Sequence, residues 1–126
     1  MYAVGVSDHV MVAHSLRGEV FGPAQRLHGA TYEVRVEVQA PQLDEHGIVV
    51  DIGRLRAALT EALAPLAYRN LDELPELAGV NTTTEVLCAH LHARLVQRLG
   101  ARPEATLSVT LVESPVAWAR YTAPLA

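Results

Sequence analysis

The segment TYEVRVEVQ, residues 31–39, alternates strictly between residues suited to a protein core and residues suited to water. The two faces are Tyr32, Val34, Val36 and Val38 on one side, and Glu33, Arg35, Glu37 and Gln39 on the other. A period of two is that of a β-strand, and one apolar and one polar face are typical of an antiparallel sheet covered on one side. The segment therefore predicts a half-buried strand in such a sheet.

Three other segments have strand character. Residues Tyr2–His14 alternate more loosely, which predicts a first strand with an irregularity near Ser7 and Asp8. Near the C-terminus, ATLSVTLVES (residues 105–114) and VAWARYT (residues 116–122) predict two more strands. Residues 15–29 are rich in glycine and predict a loop between the first two strands.

Two segments have helical spacing. Asp51 is a good N-cap for IGRLRAALTEALAPL, residues 52–66, in which apolar residues recur every three or four positions. A second helix is predicted over TTTEVLCAHLHARLVQRLG, with Thr82 and Glu85 at capping-box spacing and Gly100 as its stop. The predicted fold is a single α+β domain over residues 1–126, with two helices on one face of a four-stranded antiparallel sheet.

Composition excludes several classes of function. The net charge is -4 and the chain has no lysine, which argues against a nucleic-acid partner. One cysteine, Cys88, rules out an intramolecular disulfide and fits both a reducing compartment and a place in the core. No segment has the pattern of a signal peptide or the length of a membrane span. We expect a cytoplasmic protein with no membrane partner.

The edges of so small a sheet need a partner. Open edge strands are often paired with another subunit, so the sequence favours a homo-oligomer without setting its number. The polar row that contains Glu33 and Arg35 is expected to face water or polar groups of another subunit. Trp118 and Tyr121 are expected to be packing residues.

Glu113 is the least expected residue of the predicted strands. It continues the parity of an apolar row formed by Leu107, Val109 and Leu111. A carboxylate at the end of a buried row is costly unless charge-assisted donors meet it, so Glu113 is a candidate to bind a planar edge with paired N–H donors. The alternative is that the strand ends before Glu113 and its side chain reaches water.

The histidines do not form a metal site by spacing. His14 and His28 lie at junctions between loops and strands, and a histidine two residues after His28 would point the same way. That position holds Ala30, and catalytic zinc normally takes three protein ligands. We therefore expect no zinc; a ligand from His9, from His46 or from a neighbouring subunit is the weaker alternative.

Taken together, the segments VMVAH, LHGATYEVRVEV, GIVVDIGRLR, NTTTEVLCAHL and VTLVES resemble, in order and spacing, the 6-pyruvoyl-tetrahydropterin synthase / 6-carboxy-tetrahydropterin synthase family over nearly the whole chain. The resemblance implies the T-fold, in which subunits join edge to edge into a barrel and two rings stack, usually as a hexamer. It also implies three zinc-binding histidines, a catalytic cysteine and an Asp-His pair.

Several of these family residues are missing here. Ala30 takes the place of the third zinc ligand, and Ala24 lies near the place of the cysteine. Ala67 and Tyr68 occupy the positions of the Asp-His pair. Without a metal to polarise the substrate and without a base pair to move protons, we expect no synthase activity of the family's kind.

The residues to which the resemblance assigns binding of the pterin ring are present in this chain. The family's glutamate that accepts hydrogen bonds from the pyrimidine edge matches Glu113, and its ring-contacting threonines match Thr83 and Thr84. We therefore expect a pterin-like small molecule as ligand. The alternatives are a structural or regulatory T-fold subunit that binds no small molecule, and an enzyme with changed chemistry on a pterin or a related bicyclic ring.

Overall fold

The computed structural model describes all 126 residues and contains one five-stranded sheet and two α-helices. The strands are β1 (Tyr2–His14), β2 (His28–Ala40), β3 (Arg69–Asn70), β4 (Arg102–Ser114) and β5 (Ala117–Leu125). The helices are α1 (Ile52–Leu63) and α2 (Thr84–Leu99). Neither helix combines the length and the apolarity needed to cross a bilayer. The predicted α+β class is confirmed.

The strands lie in the order β3-β1-β2-β4-β5, and every pair is antiparallel except β3 with β1. The prediction of four strands missed one, β3, which has two residues and is too short to have a periodicity. The predicted irregularity in β1 was also wrong, because β1 pairs with β2 in one continuous register from Tyr2 to His14. A 3-10 helix, Glu19–Gln25, lies in the predicted loop before β2.

The apolar parity of each central strand faces the helices, as the alternation predicted. Twenty-six buried apolar residues form one cluster between the sheet and the two helices. Cys88 is fully buried in it, as expected. The opposite face of the sheet is polar, and Glu33 and Arg35 form an ion pair there at 2.9 Å.

The first helix begins as predicted and ends earlier. Asp51 accepts a hydrogen bond from the amide of Arg54 at 2.8 Å, which confirms it as the N-cap. The helix stops at Leu63 rather than at Leu66, because Pro65 has no N–H to donate to the preceding turn.

The second helix begins one residue later than the capping-box prediction placed it. Thr83 is the N-cap, and its hydroxyl accepts from the amide of Val86 at 3.2 Å. Thr82 is instead buried and directed into the fold. Gly100, with φ at 82°, ends the helix as predicted.

The two aromatic residues of β5 are less buried than expected. Trp118 is 61% exposed on the polar face, where the Arg120 guanidinium lies 4.8 Å from its ring centroid. Tyr121 is 41% exposed and contacts His92 edge to face. Both lie on β5, an edge strand that has a neighbouring strand on one side only. Fewer residues therefore surround their side chains than the packing prediction assumed.

Candidate functional site

A β-bulge places Glu113 at the end of β4. Val112 of β4 pairs with Trp118 of the neighbouring strand β5, and Ser114 of β4 pairs with Ala117 of β5. Glu113 is therefore one extra residue on β4, with no counterpart on β5. Bulges of this kind bend a strand, interrupt its alternation and redirect a side chain.

The bulge explains why Glu113 is not where the alternation predicted it. Its side chain is exposed in the single chain, so the prediction of a buried carboxylate was wrong and the alternative was correct on this point. No basic side chain pairs with it among the ion pairs of the structure. The carboxylate is thus free to accept hydrogen bonds from another molecule.

Glu113 lines a cavity of about 350 Å³ between the start of α2 and β5. The other lining residues are Thr84, Glu85, Ala117, Trp118, Ala119 and Arg120. Of the three residues expected to bind the ligand, the structure brings Thr84 and Glu113 to this cavity. Thr83 does not line it, because its hydroxyl caps the helix. The volume lies within the range of small-molecule sites.

Tyr32 lies in the core, as its place in the apolar row predicted, but its hydroxyl is a feature that the periodicity does not explain. It is 1% exposed, and its hydroxyl is the one buried side-chain N or O atom without a hydrogen-bond partner. Burial raises the pKa of this phenol, a contact with the Thr84 hydroxyl opposes the rise, and the Glu113 carboxylate adds to it. The Thr84 hydroxyl and the Glu113 carboxylate, which both line the cavity, are thus among the groups that act on the Tyr32 phenol.

His14 and His28 are paired across the antiparallel strands β1 and β2, with ring centroids 4.7 Å apart. His14 is buried, and its Nδ1 is 3.0 Å from the Thr82 hydroxyl. His28 donates from Nδ1 to the carbonyl of Arg26 at 2.8 Å, which leaves its Nε2 as the unprotonated nitrogen in the neutral ring.

These two histidines do not complete the zinc site that the resemblance implies. Ala30 lies two residues after His28 on the same face of β2, and its side chain has no ligand atom. No group of three or more His, Cys, Asp or Glu side chains is arranged to hold a metal ion. His9 lies on the opposite face of the sheet, where it lines a separate depression, so it does not supply the third ligand.

The buried histidine predicts a pH-dependent stability. Burial is the main cause of the lowered pKa of His14, and the neighbouring His28 lowers it further. Because the unfolded state binds more protons, His14 contributes stability above its ordinary pKa of 6.5, and that contribution is lost as the pH falls through the folded-state pKa. Denaturant melts between pH 7.5 and 5 should show a declining free energy of unfolding.

The variant His14→Gln should flatten that decline. A smaller slope should persist, because burial also lowers the pKa of His90. An unchanged slope in His14→Gln would show that His14 titrates alike in the folded and unfolded states.

The positions of the family's other reactive residues offer no replacement chemistry. Ala24 and Ala67 are half-buried and have no ionisable group. Tyr68 is 83% exposed, with a left-handed backbone at φ 58°.

Two larger depressions, of about 740 and 670 Å³, lie on the polar face of the sheet. Arg35, Thr110 and Arg120 line both. Arg35 is already paired with Glu33, and neither depression contains Glu113 or Thr84. The smaller cavity at the bulge is therefore the better candidate for the predicted ligand site.

Two known proteins are similar to this chain in sequence. The 6-pyruvoyl tetrahydrobiopterin synthase of Drosophila melanogaster is 31% identical over 110 residues, which is 84% of this chain and 65% of that protein. The protein of the same name from Dictyostelium discoideum is 29% identical over 83 residues, or 64% of this chain and 62% of its own. The matches thus span somewhat less than two thirds of either relative.

Solved structures give the same fold. The 6-pyruvoyl tetrahydropterin synthase of Caenorhabditis elegans superimposes with a TM-score of 0.86 at 21% identity, over 97% of this chain and 95% of that one. The Plasmodium vivax synthase does so with a TM-score of 0.76 at 14% identity, over 98% and 99%. The expected T-fold is confirmed. A sequence profile described as 6-pyruvoyl tetrahydropterin synthase matches residues 3–124, and the chain belongs to that family.

Proposed function

We propose that this protein binds a pterin-like ring in the cavity at the bulge and lacks the synthase chemistry of its family. The observation that carries the proposal is Glu113, an unpaired carboxylate that the bulge presents beside Thr84. A carboxylate with both oxygens free is suited to the pyrimidine edge of a pterin, where a ring N–H and an amino group form two parallel donors.

The surroundings of Glu113 support its role as an acceptor. Trp118 offers an exposed aromatic surface at the mouth of the cavity, against which a planar ring can pack. Arg120 lies in the same cavity, but its Nε donates to Thr110 at 2.9 Å and its guanidinium rests on the Trp118 ring. Arg120 therefore does not compete with a ligand for the carboxylate.

The absence of synthase chemistry is the second part of the proposal. Zinc, when bound in the family, polarises the substrate, and here two histidines remain without a third ligand. Ala24 and Ala67 cannot act as acid or base. Tyr68, with an ordinary pKa near ~10, is a weak base at neutral pH. Reaction of the bound ring by a different mechanism remains the enzymatic alternative.

A ligand titration tests the binding proposal. Trp118 is the only tryptophan of the chain and lines the cavity, so its fluorescence should change when neopterin binds. A lumazine that carries the same side chain as neopterin has an oxo group in place of the 2-amino group, and it is the matched control because it cannot present the same pair of donors. We expect saturable binding of neopterin at micromolar concentration and binding of lumazine weaker by at least about tenfold.

The alternative of a structural or regulatory subunit predicts a different result. A chain that binds no small molecule should show no saturable signal with either ring at high micromolar concentration. Such a subunit should also co-purify in mixed oligomers with an active homologue. Those two results together would replace the binding proposal.

We also propose that the chain forms the family's edge-to-edge assembly, as a homohexamer in the cytoplasm. β5 is an open edge, and β1 has only the two residues of β3 along its other side. Light scattering behind a size-exclusion column should give about six times the mass of one chain. A monomer at micromolar concentration would contradict the proposal. A trimer would support one ring of subunits but not the stacking of two such rings.

A further inference from the structure

Packing of the core does not explain why Tyr32 buries a hydroxyl group. A phenylalanine at this position would fill the same volume without burying a polar group. Leaving a buried hydroxyl unpaired destabilises a fold, and such groups are rare in native proteins. Tyr32 is the one case here, and two residues that line the cavity proposed for the ligand, Thr84 and Glu113, both act on the pKa of its phenol.

The strand register places Tyr32 beside the bulge. Glu33 on β2 is the last residue paired with β4, and its partner is Val112. Continuing that register by one position sets Tyr32 opposite Glu113. The first residue of α2, Thr84, lines the same cavity as Glu113.

A neighbouring subunit cannot supply a partner for the hydroxyl. Tyr32 is 99% covered by its own chain, so a neighbouring subunit has no access to its oxygen. The Thr84 hydroxyl is close enough to lower the pKa of the phenol, although the two hydroxyls do not meet the geometry of a hydrogen bond in the free protein.

We propose that Tyr32 determines ligand specificity by donating its proton to Thr84 when the ligand binds, so that the Thr84 hydroxyl points its own proton into the cavity. This inference rests on the proposed pterin site and goes beyond it. A phenol that donates to Thr84 leaves the threonine as a donor, so the ligand must offer an acceptor there. The preferred ring then carries two donors for Glu113 and an adjacent carbonyl for Thr84, which is the pattern of a 2-amino-4-oxo pteridine.

The test compares neopterin with its 2,4-diamino analogue. Neopterin has the 4-oxo group and a proton on N3, and the analogue has a donating amino group at position 4 and no proton on N3. The lost N3–H affects Glu113 equally in wild type and in Tyr32→Phe, so the change in the affinity ratio between the two proteins reports on Thr84. Wild-type protein should prefer the 4-oxo ring, and Tyr32→Phe should reduce the ratio of the two affinities by about tenfold, because the freed Thr84 hydroxyl can then accept as well as donate. Tyr121→Phe, a tyrosine variant outside the cavity, should leave the ratio unchanged.

Thermal melts separate this role from a structural one. Tyr32→Phe should melt at the same temperature as wild type or about 3 °C higher, because an unpaired buried hydroxyl is removed. A melting temperature several degrees lower would show that the hydroxyl is partnered in the folded protein. That result would overturn the inference alone. So would an affinity ratio that is the same in Tyr32→Phe as in a wild-type protein that binds neopterin. Failure of wild type to bind either ring would overturn the proposed function, and this inference with it.

Discussion

Replacing Glu113 with glutamine should weaken neopterin binding by about 100-fold or more. The amide has nearly the same shape as the carboxylate, but it is neutral and offers one acceptor where the carboxylate offers two. One of the two ligand donors is then left facing an NH₂ group, so a hydrogen bond is lost and a repulsive contact replaces it. Calorimetric titration of both proteins with neopterin measures the difference.

The loss should not come from unfolding. Glu113 is exposed and takes part in no ion pair, so its replacement should change the free energy of unfolding by less than about 0.5 kcal/mol. Glu45→Gln removes an equally exposed charge from the turn before α1 and should leave neopterin binding unchanged. Equal affinity of wild type and Glu113→Gln would mean that the ring is held by other groups.

Introducing a histidine at Ala30 should create a zinc site. Ala30 and His28 are two residues apart on β2, so their side chains lie on the same face, and His14 pairs with His28 across β1. Three imidazoles with an open fourth position are a known ligand set for zinc. Metal analysis should give far less than one zinc per chain for wild type and about one for Ala30→His.

The added metal should also stabilise the fold. At a zinc concentration about 100 times the dissociation constant, the gain is about 2.7 kcal/mol. Ala3→His, on the opposite face of β1, and the double variant Ala30→His/His14→Ala are the controls, and neither should retain zinc. Stoichiometric zinc in wild type would contradict the account of the histidine pair. Synthase activity should not return in Ala30→His, because Ala24 and Ala67 are unchanged.

The regular parts of the fold could be predicted because their periodicity is strong. The alternation of residues 31–39 gave the correct face for every residue of that strand, and Asp51 marked the start of α1 correctly. β3 could not be predicted, because two residues have no period. Its position depends on a contact that is distant in sequence, the hydrogen bond from the Tyr68 amide to the carbonyl of Met11 at 2.7 Å.

The sequence named Glu113 and Thr84, which the structure brings to one cavity, but it did not predict the geometry of that cavity. One extra residue on β4 turns Glu113 out of the buried row, and such a bulge depends on how β4 pairs with β5, which parity along one strand cannot reveal. Thr82 was predicted as the helix cap from its spacing to Glu85, but Thr83 is the cap, since the hydroxyl of Thr82 lies 3.0 Å from buried His14.

Tyr32 was missed for a related reason. Its position in an apolar row made it indistinguishable from a core residue, and only the structure brings its hydroxyl to the head of α2. A tyrosine in a row otherwise made of valines is the one signal that the sequence offered, because valine at that position would bury no polar atom. The bulge and the helix start together define a pocket that no single segment reveals.

The account depends most on the carboxylate of Glu113 meeting the pyrimidine edge of a pterin, and a crystal structure of the complex with neopterin tests this directly. We predict both oxygens of Glu113 about 2.7–3.0 Å from the ring N–H and the amino group. A pterin bound instead on the polar face of the sheet, or a Glu113 side chain that still faces solvent beside the bound ring, would contradict the account.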